Sequence, residues 1–377
     1  MAAGRRWRAR RVAAAVGVLA VAVTGARMAG ARAAGPIDLP QQGTTIDQAV
    51  VYQFVASPNY AHDHVVFASG QFFDGCLRVP GCTGVFRSND GGTTWTTVST
   101  DQGSGGDLLL PPSYPKDSRI FQGAPNPSPL GVSTDGGATF LPLASPGRNA
   151  AMSPGFSSGD RRILSGEVPT GWEYHDDLGV ATPLTIVPTA MAGSYLTFSF
   201  APHGHSMLVG GNTDPTAVNS PDAVTACSAS ACAAPVHLAG SIDGNTPHVL
   251  ASQSFGPHGL AYAWVIGNLY RSTDGGASFQ ALATPTAGQI QGLTEGPDGS
   301  LYMAIYDGSG GFHPGGGVFK STDQGSTWSK LGVGTDVDTG LWSLAVAPDG
   351  RIFVGLGVFD PGIRCSADGG QTWARRC

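Results

Sequence analysis

Short apolar runs recur along this chain, and each ends at a turn rich in Gly, Pro, Asn or Asp. The runs either alternate apolar with polar residues or are apolar throughout, which is typical of β-strands. Outside the N-terminal segment, no long stretch has the apolar period of about 3.6 residues that marks an amphipathic helix. The pattern predicts an all-β protein of many short antiparallel strands. Clear examples are LAVAPDGRIFVGLG from Leu344 and LTEGPDGSLYMAI from Leu293.

An eight-residue turn, here called the Ser-x-Asp turn, lies between these strands and recurs five times. Its template is Ser-x-Asp-x-Gly-x-x-aromatic. The five copies are SNDGGTTW from Ser88, STDGGATF from Ser133, STDGGASF from Ser272, STDQGSTW from Ser321 and SADGGQTW from Ser366. Two degenerate copies, HDDLGVAT from His175 and SASACAAP from Ser228, fit the long gap between the second and third good copies. Seven units of 42 to 53 residues therefore fill the chain.

Repetition at this period predicts the architecture. Each unit has room for four strands, and a sheet of four strands cannot bury both faces alone. Radial packing of such sheets buries them against each other and leaves only short edges. We therefore predict a single domain over residues 36–377, a seven-bladed β-propeller of four-stranded antiparallel blades. Each Ser-x-Asp turn would join the third strand of a blade to the fourth.

The turns resemble the Asp-box, or BNR, repeat of the sialidase and sortilin-like superfamily. Proteins with this repeat include sialidases, xyloglucan-degrading enzymes, sortilin-type receptors and a photosystem assembly factor, so the resemblance implies the fold and leaves the function open. A turn aspartate can accept backbone N–H groups of its own turn, and we interpret these residues as structural. They are Asp90, Asp135, Asp274, Asp323 and Asp368.

The N-terminus predicts export from the cell. Five arginines in MAAGRRWRARR precede an apolar run from Val12 to about Ala26 and an Ala31-Arg32-Ala33 site, so residues 1–35 read as a secretion signal peptide. The remaining chain has 14 basic and 27 acidic residues, a net charge of about −13. This charge argues against nucleic acid and anionic membranes as partners, and no other apolar run could span a bilayer. We expect a secreted monomer that binds a glycan or an extracellular protein.

Six cysteines fall into three local pairs, as expected of disulfides in an oxidising compartment. The pairs are Cys76 with Cys82, Cys227 with Cys232, and Cys365 with Cys377. A zinc site is the alternative, but the pairs lie in different blades and no His lies beside them at ligand spacing. We expect no metal site and no cofactor.

Candidate chemistry lies on the loops opposite the Ser-x-Asp turns, which differ in length and carry aromatic and charged residues. In the leading hypothesis they form a binding site that includes Arg78, Trp172, Tyr306 and His313. The alternative is a glycoside hydrolase, which needs two carboxylates across a cleft. The candidates are Asp74, Glu173, Asp307 and Asp360. A true sialidase is disfavoured because the chain lacks an Arg-Ile-Pro motif and an arginine triad to hold the substrate carboxylate.

Overall fold

The computed structural model of the chain describes residues 45–72, 83–100, 107–123, 129–168, 171–214, 220–241, 245–255, 259–307, 315–333, 337, 341–357 and 361–377. These residues form seven antiparallel sheets and almost no helix. The sheets make a seven-bladed β-propeller, so the predicted fold is confirmed. In blades 1 to 6 the structure describes four strands, and in blade 7 it describes three.

The strands follow the chain order of the blades. Blade 1 contains β1 (Ala49–Ala56), β2 (Val66–Phe72), β3 (Thr83–Ser88) and β4 (Thr96–Ser99). Blade 2 contains β5 (Leu108–Leu109), β6 (Ile120–Gln122), β7 (Pro129–Ser133) and β8 (Leu141–Pro146). Blade 3 contains β9 (Ala151–Met152), β10 (Arg162–Ser165), β11 (Trp172–His175) and β12 (Val180–Pro183). Blade 4 contains β13 (Thr197–Phe200), β14 (Met207–Asn212), β15 (Asp222–Cys227) and β16 (Val236–His237).

The remaining blades continue the same order. Blade 5 contains β17 (His248–Ala251), β18 (Ala261–Val265), β19 (Asn268–Ser272) and β20 (Gln280–Leu282). Blade 6 contains β21 (Gln289–Glu295), β22 (Leu301–Tyr306), β23 (Gly317–Ser321) and β24 (Ser329–Leu331). Blade 7 contains β25 (Leu341–Val346), β26 (Ile352–Leu356) and β27 (Gly362–Ser366). Short helices lie at Ile46–Gln48, Tyr60–Asp63, Phe156–Ser158 and Thr189–Met191.

First strands of neighbouring blades contact each other, which places them at the centre of the ring. Such contacts join β1 to β5, β9 to β13, β13 to β17 and β21 to β25, and β25 contacts β1 to close the ring. The Ser-x-Asp turns and the turns after each first strand share one face, the turn face. Each first strand begins, and each second strand ends, on the opposite face, here called the mouth face.

Apolar packing between blades forms the core. The described residues contain seven buried apolar clusters, and each one joins two neighbouring blades. Trp95, the aromatic residue of the first Ser-x-Asp turn, shows the arrangement: its ring lies 6.2 Å from that of Phe54 in its own blade and 6.3 Å from that of Phe353 in blade 7. The aromatic residue of the turn thus fills the gap between blades, where burial of a large ring stabilises the fold most.

Polar side chains in or just before the first strands link one blade to the next at five junctions of the described chain. Leu108 N–H donates to Gln53 Oε1 at 2.5 Å, and Ala150 N–H donates to Asp107 Oδ2 at 3.1 Å. The other three links run to carbonyl oxygens of the next blade. They are Asn149 Nδ2 to Leu196 O at 2.9 Å, Thr197 Oγ1 to Pro247 O at 2.5 Å, and Ser343 Oγ to Val51 O at 2.6 Å.

Glycine permits this close approach of the blades. A Cβ atom on Gly166 of blade 3 would overlap Leu196 O of blade 4, and one on Gly355 of blade 7 would overlap Val51 O of blade 1. Both glycines lie at or beside the end of a second strand, opposite the carbonyl that the next blade presents. A larger residue there would push the two blades apart.

The five Ser-x-Asp turns share one hydrogen-bond network. In the turn of blade 6, Ser321 Oγ donates to Asp323 Oδ1 at 2.8 Å and accepts the Gly325 N–H at 2.8 Å. Thr327 donates its N–H to Asp323 Oδ1 at 2.8 Å and its hydroxyl to Asp323 Oδ2 at 2.6 Å. The same bonds form around Asp90, Asp135, Asp274 and Asp368. The hydroxyl before the aromatic residue was an open position of the sequence template, yet all five turns have Thr or Ser there.

These bonds lower the pKa of the turn carboxylates. The Thr139 hydroxyl and N–H hold the pKa of Asp135 at about 2, and Thr327 and Thr372 do the same for Asp323 and Asp368. Each carboxylate is therefore committed as an acceptor within its own turn.

Blades 3 and 4 lack a complete turn and are held by other contacts. In blade 3, Asp176 accepts both bonds of Arg119 Nη1 from blade 2, at 2.8 and 3.0 Å. In blade 4, a disulfide joins Cys227 to Cys232 and packs into the cluster shared with blade 3. Blade 3 thus has a cross-blade ion pair and blade 4 a disulfide beside the turn that lacks the complete template.

The seam between blades 7 and 1 is closed by residues near the C-terminus. A disulfide joins Cys365 to Cys377, and Cys365 also pairs with Ala374 in an isolated β-bridge. Arg376 Nη2 lies 2.6 Å from Asp47 Oδ2 beside blade 1. The hydrogen bond from Arg376 lowers the pKa of Asp47.

Removing one cross-blade link tests its contribution. Ser343→Ala leaves Val51 O without its buried donor, and we expect the free energy of unfolding to fall by about 1–2 kcal/mol. Equilibrium urea unfolding measures the change. Ser329→Ala, at an exposed position in blade 6, is the control and should leave the midpoint unchanged. Equal midpoints for all three proteins would show that the link adds nothing.

Candidate functional site

Three neighbouring blades have a β-bulge in the first strand. In blades 6, 7 and 1, the pairing of the first strand with the second skips one residue: Gln291, Trp342 and Tyr52. A bulge interrupts the ladder and turns the extra side chain away from the position that regular pairing would give it. Because the first strands line the centre of the ring, these side chains gather at the mouth face of the channel.

Three aromatic rings from these blades form a continuous row, here called the aromatic arc. The ring centroids of Tyr52 and Trp342 lie 6.1 Å apart with the planes at 68°. Those of Tyr306 and Trp342 lie 6.5 Å apart with the planes at 36°. Tyr306 is the last residue of β22, which places it on the mouth face. All three side chains are half-buried, so each packs on protein and still offers surface to a ligand.

Polar groups border the arc. The Tyr52 hydroxyl donates to Gln71 Oε1 at 2.7 Å, and burial raises the pKa of Tyr52. Gln291 Nε2 donates to Gln289 Oε1 at 3.3 Å. Within the described residues, neither the Trp342 indole N–H nor the Tyr306 hydroxyl has a hydrogen-bond partner. The arc therefore combines apolar ring faces with amides and with two donors that have no partner among the described residues.

The predicted carboxylates lie in different places. Asp307 directly follows Tyr306 at the mouth-face end of β22. Glu173 lies inside β11 of blade 3, where it forms an ion pair with Arg162 and its Oε1 lies 3.5 Å from His175 Nε2. Asp74 and Asp360 fall outside the described residues.

The predicted ligand-binding residues are also divided. Tyr306 belongs to the arc. Trp172 begins β11 in blade 3, and its buried indole N–H has no hydrogen-bond partner in the part of the chain that the structure describes. Arg78 and His313 lie outside the described residues, as does the cysteine pair Cys76 and Cys82.

Tyr52 and Trp342 were not predicted, although the sequence holds a signal for them. In a regular strand, buried residues repeat every second position. In the bulged strands the apolar residues are three apart: Val51 and Phe54, Ile290 and Leu293, Leu341 and Leu344. A spacing of three in place of two indicates a bulge. The bulged residue directly follows the first apolar residue of each pair, which gives Tyr52, Gln291 and Trp342.

Asp107 is a further mouth-face residue that the sequence did not single out. It precedes β5, and its backbone oxygen accepts the Gly123 N–H at 2.7 Å. Water reaches part of its surface, yet protein surrounds it closely, as expected for a group near the channel wall. Burial raises the pKa of Asp107 to about 6 despite the hydrogen bond from Ala150. It is a carboxylate that takes up a proton in weak acid.

The described residues show neither a metal cluster nor a membrane helix. No three of their His, Cys, Asp or Glu side chains are grouped so as to hold a metal ion. None of their helices has the length and apolar character needed to cross a membrane.

Comparison with solved structures supports the propeller. The extracellular domain of the one-component system BT4673 from B. thetaiotaomicron matches 85% of this chain with a TM-score of 0.58 at 11% identity, over 38% of its own length. YCF48 from Cyanidioschyzon merolae matches 84% of this chain with a TM-score of 0.54 at 15% identity, over 94% of its own length. The GH74 xyloglucanase from Xanthomonas campestris matches 87% with a TM-score of 0.50 at 14% identity, over 60% of its own length.

These likenesses show the fold and no particular activity. This chain spans about two fifths of the BT4673 domain and three fifths of the xyloglucanase. A comparison with protein-family models finds no match, and a comparison with curated proteins finds none either.

Replacing Asp107 tests its burial. The folded pKa, about 6, exceeds the unfolded value of about 4. The native state therefore binds more protons between these values, and stability falls as pH rises from 4 to 6. Asn can still accept the Ala150 N–H but carries no charge. We expect Asp107→Asn to be on the order of 2 kcal/mol more stable than the unmodified protein at pH 7 and equal to it at pH 4.

Urea unfolding at both pH values measures this difference. Asp177→Asn, at an exposed position in blade 3, is the control and should change neither value. A loss of stability at pH 7 in Asp107→Asn would mean that the charged carboxylate stabilises the fold.

Proposed function

We propose that this protein is an exported propeller of the Asp-box family that binds carbohydrate at the aromatic arc. The observation that carries the proposal is the arc itself: Tyr52, Trp342 and Tyr306 come from three blades and meet in one row. Two of the first strands must bulge to present these rings, a local cost that regular pairing would avoid.

The chemistry of the arc suits a sugar. One face of a pyranose ring carries C–H groups that pack against aromatic rings, while its edge carries hydroxyls that need hydrogen-bond partners. Half-buried aromatic rings supply large contact area at little cost in side-chain entropy. The open donors of Trp342 and Tyr306 can then bind sugar oxygens, and the amides of Gln71 and Gln289 can fix orientation.

Export is part of the proposal. It is supported by the predicted signal peptide and by the two disulfides, Cys227 to Cys232 and Cys365 to Cys377, since such bonds persist in oxidising compartments. Membership of the Asp-box family is supported by the five Ser-x-Asp turns and their common hydrogen bonds.

Glycoside hydrolysis is the second candidate, and one observation favours it. Asp307 is the chain neighbour of the arc residue Tyr306, so its carboxylate is a candidate to reach a sugar bound there. Hydrolysis requires a second carboxylate, roughly 5–10 Å from the first. Within the described residues, Glu173 is engaged by Arg162 in blade 3, which favours binding over catalysis.

A glycan array followed by calorimetry tests the proposal. We expect Trp342→Ala to weaken binding of the best glycan at least tenfold, about 1.4 kcal/mol, because the central ring of the arc is lost. Tyr306→Phe should weaken it by a smaller factor through loss of the hydroxyl. Leu141→Ala, at an exposed position on the outer strand β8, is the control.

Three results bear on the choice between the candidates. Binding that survives Trp342→Ala would place the site elsewhere. No binding of any glycan by the folded protein would overturn the proposal. Release of reducing sugar that stops in Asp307→Asn would replace binding by hydrolysis.

A further inference from the structure

The positively charged side chain of Arg148 lies at the same level of the channel as the aromatic arc. In blades 1, 3 and 7, a backbone hydrogen bond closes the turn that follows the first strand. Its donor is the N–H of Ser57 in blade 1, of Ser153 in blade 3 and of Ala347 in blade 7. Five residues before these positions lie Tyr52, Arg148 and Trp342. Arg148 thus occupies in blade 3 the place that the arc residues occupy in blades 1 and 7.

The arrangement of the blades puts Arg148 across the channel from the arc. Blade 3 is three places from blade 6 in one direction and three places from blade 7 in the other. In a ring of seven, blades three apart lie on opposite sides of the channel. A ligand that reaches both Arg148 and Trp342 must therefore extend across the mouth.

The Arg148 side chain is held in place, and no described residue gives it an anionic partner. Its guanidinium carbon lies 3.6 Å from the centre of the Tyr195 ring, close enough for stacking. Stacking fixes the plane of the guanidinium and leaves its N–H groups pointing outward in that plane. Within the described residues, no carboxylate and no hydrogen-bond acceptor contacts this guanidinium. Arg119, Arg162 and Arg376, in contrast, are all paired with carboxylates.

We propose that the mouth binds an acidic oligosaccharide, with sugar rings on the aromatic arc and an anionic group on Arg148. This inference rests on the proposed function and specifies its ligand class. A planar guanidinium binds a carboxylate or a sulfate through two parallel hydrogen bonds, which a neutral hydroxyl cannot match. Because the chain has a formal net charge of −6, or about −13 without residues 1–35, long-range attraction does not favour a polyanion. Selection of the acidic ligand therefore depends on this local contact.

A panel of paired oligosaccharides tests the inference. Gluco-, galacto- and manno-configured oligosaccharides are each offered in neutral form and as the uronic acid, and sulfated forms make a third arm. Calorimetry on the full protein measures affinity. We expect at least tenfold tighter binding of an acidic form than of its neutral partner, and the stronger of the carboxylate and sulfate arms identifies the anion.

Variants assign the preference to Arg148. Arg148→Met should reduce the acidic-to-neutral ratio to about one while leaving neutral binding intact. Arg148→Lys should retain part of the ratio, since it keeps the charge and loses the bidentate geometry. Arg161→Met is the matched control: this arginine of blade 3 also lies over an aromatic ring, 5.8 Å from the centre of Phe156, but on the turn face. It should change nothing.

The possible results separate this inference from the proposed function. If neutral and acidic forms bind equally well, or if Arg148→Met keeps the preference, the inference is wrong while carbohydrate binding stands. If no member of the panel binds to folded protein, both are overturned. Loss of neutral binding in Trp342→Ala together with retained folding supports the arc independently of Arg148.

Discussion

Contact between neighbouring blades is the constraint on which this structure depends. A blade of three or four strands has two faces, and both can be buried only against the blades on either side. The seven apolar clusters follow directly, since each one spans a junction. The polar links at the first strands lie at the same junctions, where they satisfy backbone N–H and C=O groups that the tight approach would otherwise bury without partners. Glycines such as Gly166 make that approach sterically possible.

The same constraint explains why blades 3 and 4 tolerate degenerate turns. Each junction requires that the gap between two blades is filled and that the turn beside it has a fixed conformation. Different side-chain interactions meet these two requirements in different blades. In most blades a Ser-x-Asp turn fixes the backbone and an aromatic ring fills the gap. Blade 3 uses the ion pair of Arg119 with Asp176, and blade 4 uses the disulfide between Cys227 and Cys232. The turns of blades 3 and 4 have therefore lost the template residues, while their junctions are still held together.

The fold could be predicted from sequence because its signals are local. Five turns, their spacing and the strand pattern specify the blades one by one, and radial packing follows. The candidate site depends on side chains from blades 6, 7 and 1, which meet only after the ring has closed. Tyr306 could be predicted as a site residue because it lies at the end of a strand, next to a loop of the mouth face. Tyr52 and Trp342 were concealed inside strands, because the direction of their side chains depends on a bulge whose only trace is a three-residue apolar spacing.

Arg148 illustrates a different limit of sequence reasoning. The sequence shows an arginine just before the first strand of blade 3, and that position corresponds to the mouth face. Its stacking on Tyr195 of the next blade and its position opposite the arc depend on blade order in three dimensions. A ring of repeats brings together residues about 200 positions apart in sequence, and only the closed ring shows which of them face each other.

The way in which blade 7 is completed affects how the order and number of the blades can be altered. Among the described residues, the outer edge of blade 7 is completed by residues that follow β27, through the bridge of Cys365 with Ala374. As far as the structure describes them, the strands of each blade follow one another along the chain. The seam between blades 7 and 1 has an apolar cluster like those at the other six junctions, and the C-terminal residues add to it a disulfide and an ion pair. A circular permutant that joins this seam and opens the loop between two other blades would keep all seven interfaces. Duplication or loss of a single repeat would likewise add or remove one complete module.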